Sequence, residues 1–574
     1  MPTRPDLTTF LQRLEGKPYP AYKDLRGRYD FGEFALSLDH IQGDPFASPS
    51  RLSIHIDHAN SGLPADLYSN PSRRTGTETY LALAFSAACD KARDHLGSGK
   101  SGLLAIDTPG QEILARSCVE IGEEATIVRF VAGLPANGRR ILARAAITLL
   151  TEFIPQVTER TLFYKNLLPD KIQSYADTSE DADALRAQLE ANKLIAFIPD
   201  RAILPRASGI DNRPLTEAVP FTSPESLRVT LKTPHAGALT GCGIPEGVTL
   251  IVGGGYHGKS TLLNAVERGI YNHRPGDGRH QVVTRNDAVK VRAEDGRAVT
   301  SVNLTPFINN LPGGKSTESF TSENASGSTS QAANIMEALE IDSKCLLLDE
   351  DISATNFLIR DTRMAQLIAD DKEPITPFVQ RVRPLFEQYG ISTVLVLGGS
   401  GDYFAPAHTV LAMDEFLPHE VTAKAKEIVS HEDSTTSPFR LPNFDRTPDP
   451  ESINPYKAAK PSRGRGGSNR PARPMIKAHD TRALTFGEEE IDLSLVPQLL
   501  DPSQTRTIGA LLAHAKESGL LDGQRSLSSL CHALLEDVEQ KRLSHLPGHD
   551  LAAIRPFELA AAINRLRGLR IQPH

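Results

Sequence analysis

The sequence contains no tryptophan, few cysteines and no long apolar run, and each absence removes a class of protein. Five cysteines in 574 residues (Cys89, Cys118, Cys242, Cys345, Cys531) stand far apart, with no CxxC pair. This argues against a disulfide-stapled scaffold, a cysteine zinc centre or a dithiol redox site. Reduced thiols and a cytoplasmic location are the expectation. Nowhere do apolar residues run to the ~18 needed to cross a bilayer, and the opening "MPTRPDLTTFLQRLEGKPY" is too polar for a signal peptide. No membrane partner is therefore expected. Positive charge is not in excess either: the net charge is -8 and the pI about 6.1. Any polyanion must be met by a local basic patch or tail, not by the whole surface.

What is present reads as a multidomain globular protein. Hydrophobic residues at 39% and charged residues at 23% are near globular averages, and 40 prolines point to many irregular connections. Residues 1–220 alternate strand-like stretches ("EFALSLDHI", "RLSIHIDH") with helical ones ("ETYLALAFSAACDKARDHL"), predicting an N-terminal α/β domain. Residues 221–430 carry strands, glycine turns and helices in the rhythm of a parallel sheet with crossover helices. Residues 431–480 shift to Pro, Ser, Gly, Arg and Lys, with Lys457, Lys460, Arg463, Arg465, Arg470, Arg473 and Lys477 in one segment, and read as a basic flexible linker. Residues 481–574 return to helical spacing and predict a mainly helical C-terminal domain.

The chemistry concentrates between 250 and 400. "VTLIVGGGYHGKSTLLNAV" is an apolar run, a glycine-rich turn and a helix-forming run, and residues 253–260 fit G-x-x-x-x-G-K-[ST]. Gly253, Gly255, Tyr256, His257, Gly258, Lys259, Ser260 and Thr261 are thereby assigned to a nucleotide's phosphates. Backbone N–H groups wrap the oxygens, Lys259 neutralises them and Ser260 offers a hydroxyl to Mg²⁺ at a helix N-terminus. Downstream, "KCLLLDEDISATN" is an apolar strand ending in Asp349 and Glu350. Asp349 is placed to hold Mg²⁺ through water, and Glu350 to orient or deprotonate an attacking water. A solvated acidic turn after a strand is common, and it is the phosphate loop upstream that favours the catalytic reading.

Between these motifs lies "TSENASGSTSQAANIM", residues 321–336. A small-residue turn, Ser326, Gly327 and Ser328, precedes a helix, so a hydroxyl and free N–H groups face outward at a positive helix end. Its position resembles the signature motif of ABC-class ATPases, which closes over the γ-phosphate held by a second subunit. "SATN" (353–356) resembles the D-loop that contacts that subunit. More particularly, "YKDLRGRYDFGEFALSLDHIQGDPFASPSR", "AFIPDRAILPRASGIDNRP", "LTPFINNLPGGKST", "NASGSTSQAANI" and "IDLSLVPQLLDPSQTRTIG" look like the family of predicted ATPases of the ABC class, over nearly the whole chain. The resemblance implies an α/β fold with an ABC-type P-loop core between an N-terminal α/β and a C-terminal mainly helical domain. It also implies ATP and Mg²⁺ as cofactors, a homodimer, and relatives associated with RNA.

Three departures from the ABC pattern shape the functional expectation. Where a glutamine is usual the chain reads "SVNLTPFINNLP", leaving Asn303, Asn309 or Asn310 for Mg²⁺ or water, with Asn309 favoured. The stretch from there to the serine turn is too short for a transporter's helical subdomain. The strand "STVLVLGGSGDYF" ends in Gly399, Ser400, Gly401 and Asp402 instead of the switch histidine, leaving Ser400 to hydrogen-bond the γ-phosphate without carrying charge and predicting slow or partner-stimulated turnover. His235 is a candidate for stacking on adenine, against the commoner role of a solvated loop residue. Basic clusters at Lys23, Arg26 and Arg28 (interleaved with Tyr22 and Tyr29), at Arg73 and Arg74, and at Arg139, Arg140 and Arg144 suit nucleic-acid contact. The expectation is a non-transporter ATPase clamping nucleic acid, RNA before DNA. The alternative is an ATP-driven remodeller of protein complexes, and a transporter subunit is disfavoured.

Overall fold

The computed structural model describes residues 1–92, 94–361, 367, 372–429, 439–456 and 474–572. They form two compact units: Met1–Asp181 with His273–Pro275 and His549–Ala552, and Ala182–Asn272 with Gly276–Gly548 and Ala553–His574.

The first unit is built on a sheet of β1 (Gly27–Asp30), β2 (Ala35–His40), β3 (Ser50–Asp57), β4 (Leu104–Ala105), β5 (Val119–Ile121) and β6 (Ala125–Ala132). Its order is β1-β2-β3-β6-β4, with β5 also on β6. Alternation along the strands sends Leu36, Leu38, Leu52, Ile54, Ile56, Val128 and Phe130 into a core shared with helices α1 (Pro71–Ala92) and α2 (Ile154–Leu162). The alternate residues Arg28, Ser37, Arg51, Ser53, His55 and Arg129 fall on the opposite face; Ser37, Ser53 and Arg129 are aligned across β2, β3 and β6.

Burial corrects part of the expected nucleic-acid surface. Tyr22 and Tyr29 are core residues whose hydroxyls donate to the Pro135 carbonyl (2.7 Å) and the Leu25 carbonyl (2.9 Å), so neither ring can stack on a base. Arg73 is 3% exposed and spent on Asp66, Asp177 and Glu180. A basic pair in sequence does not reveal whether acids wait for it a hundred residues away.

The second unit begins at Ala182, upstream of the boundary expected at 220, because β7 (Leu194–Pro199) pairs into its sheets. A four-stranded antiparallel sheet runs β8 (Arg228–Lys232), β9 (Ala238–Pro245), β7, β11 (Val283–Thr284). The central sheet has the order β12-β15-β16-β10-β17-β18, formed by β10 (Val248–Val252), β12 (Ala288–Lys290), β15 (Cys345–Asp349), β16 (Ser392–Val396), β17 (Thr409–Asp414) and β18 (Leu417–Glu420). All neighbours are parallel except the edge pair β17–β18. The inner strands are buried on both faces, and that is why β10, β15 and β16 read as mainly apolar runs without polar alternation. Parallel strands deliver their C-terminal ends to one edge, so the loops after β10, β15, β16 and β17 meet there, where ligands of open α/β sheets bind.

Helix α3 (Lys259–Arg268) follows β10. The hairpin β13 (Arg297–Val302) and β14 (Phe320–Ala325) leads into α4 (Gly327–Glu340), and α5 (Phe378–Tyr389) precedes β16. Toward the C-terminus a three-stranded meander, β19 (Ile476–Ala478), β20 (Ala483–Phe486) and β21 (Glu489–Asp492), precedes α6 (Pro502–Glu517), α7 (Leu527–Lys541) and α8 (Pro556–Asn564). Of the expected basic linker, Lys457, Lys460, Arg463, Arg465, Arg470 and Arg473 lie outside the described residues, while Lys477 is on β19. Within the same stretch Arg446 is 9% exposed and bonded to Glu340 and Asn564, and Ile453 is 1% exposed.

Candidate phosphate and catalytic site

The glycine-rich loop requires glycine at two positions. Gly253 has φ +136°, and a Cβ there would lie 2.5 Å from the Met413 carbonyl oxygen of β17; Gly258, at φ +92°, caps α3 from the left-handed region. Between them Tyr256 also takes a positive φ, +65°, with its side chain fully exposed at the tip. Lys259 folds back so that Nζ donates to the carbonyls of Gly253 (2.8 Å) and Gly254 (2.7 Å), which holds the ammonium across the loop. His257 Nδ1 accepts the Glu415 N–H at 3.0 Å and pins the loop to the end of β17.

Ser260, in the first turn of α3, lies beside the carboxylate of Asp349 at the end of β15, near enough to favour its ionised form. Asp349 is 7% exposed and also accepts the Asp351 N–H at 3.2 Å. Burial raises its pKa from the ordinary carboxyl value, and the Asp351 N–H, Lys290 and Ser260 offset that only in part. A hydroxyl and a buried carboxylate thus converge at the positive end of a helix, a donor set that fits Mg²⁺, a hard cation taking oxygen ligands.

Glu350 is held by a different loop. Its Oε2 accepts the N–H groups of Gly398 (2.5 Å) and Gly399 (3.2 Å) in the loop after β16. These two partners were missed in sequence, where the loop draws notice for its lack of histidine and for Ser400; parallel pairing of β15 with β16 brings them together. Ser400 donates to Asp402 Oδ2 at 2.5 Å, so its proton is engaged within the same turn.

The serine turn belongs to a different network. Ser326 caps α4 from an extended conformation, is exposed, and has its hydroxyl 3.0 Å from that of Thr329. Gly327 and Ser328 are buried, and Ser328 donates to Asn356 Oδ1 at 2.7 Å. Fully buried Gln331, one turn along α4, donates to Ser353 Oγ (2.9 Å) and accepts from the Ala354 N–H (2.8 Å). Ser353 in turn donates to the Asp349 carbonyl at 2.8 Å. The "SATN" segment is therefore tied to both α4 and the end of β15. Among the described residues, the side-chain hydrogen bonds of Ser326 and Ser328 run to Thr329 and Asn356, away from residues 253–261.

The remaining candidates stay apart. Asn309 donates its Nδ2 to the Thr305 carbonyl (2.7 Å) and its N–H to the Pro374 carbonyl (2.8 Å), Asn303 accepts from Thr305, and Asn310 is exposed with φ +52°. His235 is exposed in the turn between β8 and β9.

Comparison with known families accounts for the chain in three consecutive blocks. Residues 4–165 match the model for the N-terminal domain of ATPases of the ABC class, 169–443 that for the ABC ATPase P-loop domain, and 475–572 that for the MRB1590 C-terminal domain. The chain is an ATPase of the ABC class. Its 27% identity over 231 residues to the uncharacterized protein MJ1628 of Methanocaldococcus jannaschii covers 37% of this chain and about half, 51%, of that relative.

Two solved structures are also similar to this ABC-class ATPase. The cbiO1 protein of Clostridium perfringens, part of an ABC transporter complex, has a TM-score of 0.26 at 14% identity over 42% of this chain and 92% of its own. The ATP-binding cassette MJ1267 in its ADP conformation has a TM-score of 0.23 at 15% identity over 34% of this chain and 88% of its own. Scores this low add nothing to the fold drawn above. Among the described residues no helix is long and apolar enough to cross a membrane.

Proposed function

We propose that this ABC-class ATPase binds ATP with Mg²⁺ in the loop of residues 253–261 and hydrolyses it at a site completed by residues 326–328 of a second copy. The observation that carries the reading is the juxtaposition of Ser260 with buried Asp349, which puts a hydroxyl and a carboxylate of two distant motifs at one helix N-terminus. In this proposal Lys259 leaves the Gly253 and Gly254 carbonyls for the β and γ oxygens, and the loop N–H groups hold the phosphates. Ser260 and Asp349 would hold Mg²⁺, directly and through water, with Asn309 as a further water contact. When bound, the ion neutralises charge on the phosphate oxygens. Glu350 orients and deprotonates the attacking water, and the Gly398 and Gly399 N–H groups fix its carboxylate. Ser400 lies on the γ-phosphate side and must rotate its hydroxyl from Asp402 to donate there; with no imidazole at that position, turnover is slow or partner-stimulated.

The work of this cycle, in our reading, is to clamp nucleic acid, RNA in preference to DNA, through the first unit. Support comes from the cationic end of its sheet, where His40 is kept below its ordinary pKa by burial and then by Arg51, Arg26 and Lys23. Arg28 adds charge on the face away from the core, whereas Arg129 on that face is paired with Glu120 at 2.6 Å. The test is binding of labelled single- and double-stranded RNA and DNA across a salt series, with and without ATP. Tight, salt-dependent binding of RNA is expected, with the slope of log K against log salt reduced by about 2 to 3 in the triple alanine variant of Lys23, Arg26 and Arg51. Absence of binding in every nucleotide state would transfer the reading to remodelling of protein complexes.

A further inference from the structure

Remote from the phosphate loop in sequence, three chemically matched side chains converge in the C-terminal region of the second unit. His514 lies in the last turn of α6, Asp537 in the last turns of α7, and His545 in the single helical turn Leu543–His545 that follows. Asp537 Oδ2 is 2.9 Å from His514 Nε2 and 2.8 Å from His545 Nε2. The two rings stand edge to face with centroids 5.1 Å apart. Among the described residues this is the group of His, Cys, Asp and Glu whose donor atoms gather closely enough, within 4.8 Å of one another, to share a metal ion.

The hydrogen-bond roles at His545 carry the argument. Its Nδ1 lies 2.6 Å from the Arg542 carbonyl oxygen, and a carbonyl only accepts, so Nδ1 carries the hydrogen. In the neutral ring Nε2 is then a bare lone pair, and it faces a carboxylate oxygen 2.8 Å away. Two lone pairs at that distance repel; either a second proton or a cation must lie between them. An Nδ1–H held by a backbone carbonyl, with Nε2 aimed at a shared centre, is the arrangement that orients metal-binding histidines. His514 brings a second imidazole nitrogen to the same oxygen, and Lys541 occupies only the other oxygen, Oδ1, at 2.6 Å.

We propose that His514, Asp537 and His545 bind one divalent transition-metal ion of the zinc type. Two imidazoles and one carboxylate suit such an ion better than Ca²⁺ or Mg²⁺, which prefer all-oxygen shells, or Cu⁺, which prefers thiolates. Tetrahedral bonds of about 2.0–2.1 Å place donors about 3.3 Å apart, so each nitrogen needs to move about half an ångström from Oδ2, with the two nitrogens already within 4.8 Å of each other. The side chains retain 17%, 18% and 22% exposure, leaving the fourth position open to water. Bound there, the ion ties the end of α6 to α7 and to the turn that Arg542 starts with φ +67°.

The test uses the full-length protein, stripped with chelator and titrated with Co²⁺ for its visible absorption and with Zn²⁺ against a chromogenic chelator. One ion per chain is expected, with a rise in Tm on Zn²⁺ addition. His514→Gln and His545→Gln should each weaken Zn²⁺ binding about 100-fold or more and abolish the Tm rise, while exposed His532→Gln leaves both unchanged. Lys541→Ala, which removes a competing cation, should tighten binding a few-fold. The metal-free melting curves of the variants report folding separately. Wild-type stoichiometry and affinity in the His514→Gln/His545→Gln double variant, or no Zn²⁺ binding by the wild type at micromolar concentrations, would overturn the assignment.

Discussion

At the scale of single residues, the two adjacent acids are set in opposite environments. Asp349 ends a buried strand, and burial raises its pKa, so the folded chain holds that proton more tightly than the unfolded chain does. Its contribution to stability therefore declines as pH rises through the raised value, and at neutral pH the carboxylate opposes folding. Asp349→Asn should raise Tm by a few degrees near pH 7, with the gain shrinking as pH falls toward the carboxyl range, and should abolish Mg²⁺-dependent ATPase activity. A lower Tm in the variant, read by calorimetry, would refute the burial argument. Glu350, in contrast, is held by two backbone N–H groups. Glu350→Gln keeps the shape and an acceptor oxygen but removes the base, so kcat should fall by about 10²–10⁴ while ATP affinity stays within about threefold. Equal turnover in variant and wild type would remove Glu350 from the chemistry.

At the scale of elements, α4 links the serine turn, the 353–356 segment and the C-terminal region. Its last turn carries Glu337 and Glu340, which oppose the helix dipole; each is answered by a buried arginine, Arg297 on Glu337 and Arg446 on Glu340. Arg565 does the same for Glu294 at 2.5 Å. Removing Arg446 would leave Glu340 buried and unpaired, at a cost of about 3–5 kcal/mol. Glu340 already has its pKa raised by burial against the pull of Arg446. The deficit of Arg446→Ala relative to wild type should therefore be smaller at pH 5 than at pH 8, as denaturant melts at the two pH values would show. Nearer the start of the helix, Gln331→Ala should free the 353–356 segment, lowering ATPase turnover about tenfold with ATP affinity unchanged, which steady-state kinetics and nucleotide titration separate. Linker-like composition disguised Arg446: a window average registers Pro, Arg and Ser, whereas its partner stands on a helix a hundred residues upstream.

At the scale of the whole molecule, the decisive question is whether the exposed turn at Ser326 completes a site on another copy. In the Glu350→Gln background ATP should accumulate a dimer, measured by light scattering. Adding Ser326→Arg should leave the protein monomeric with ATP still bound. Dimers that persist in the double variant would separate the serine turn from the interface.

The order of strand, glycine loop and helix was legible in the sequence because G-x-x-x-x-G-K-[ST] constrains backbone and charge within a few residues. The apolar run ending in Asp349-Glu350 was legible for the same local reason, and the α/β class followed from the alternation of such segments. Tertiary structure alone decided the rest, because each remaining feature joins residues distant along the chain. Parallel pairing carried Gly398 and Gly399 to Glu350, core packing turned Tyr22 and Tyr29 inward, and acidic partners claimed the buried Arg73 and Arg446. Folding likewise gathered His514, Asp537 and His545, whose spacing in sequence matches no metal-binding pattern. Periodicity reports which face a residue occupies, and hydrogen-bond partners across the fold then determine whether a charge there is spent on structure or left free for chemistry.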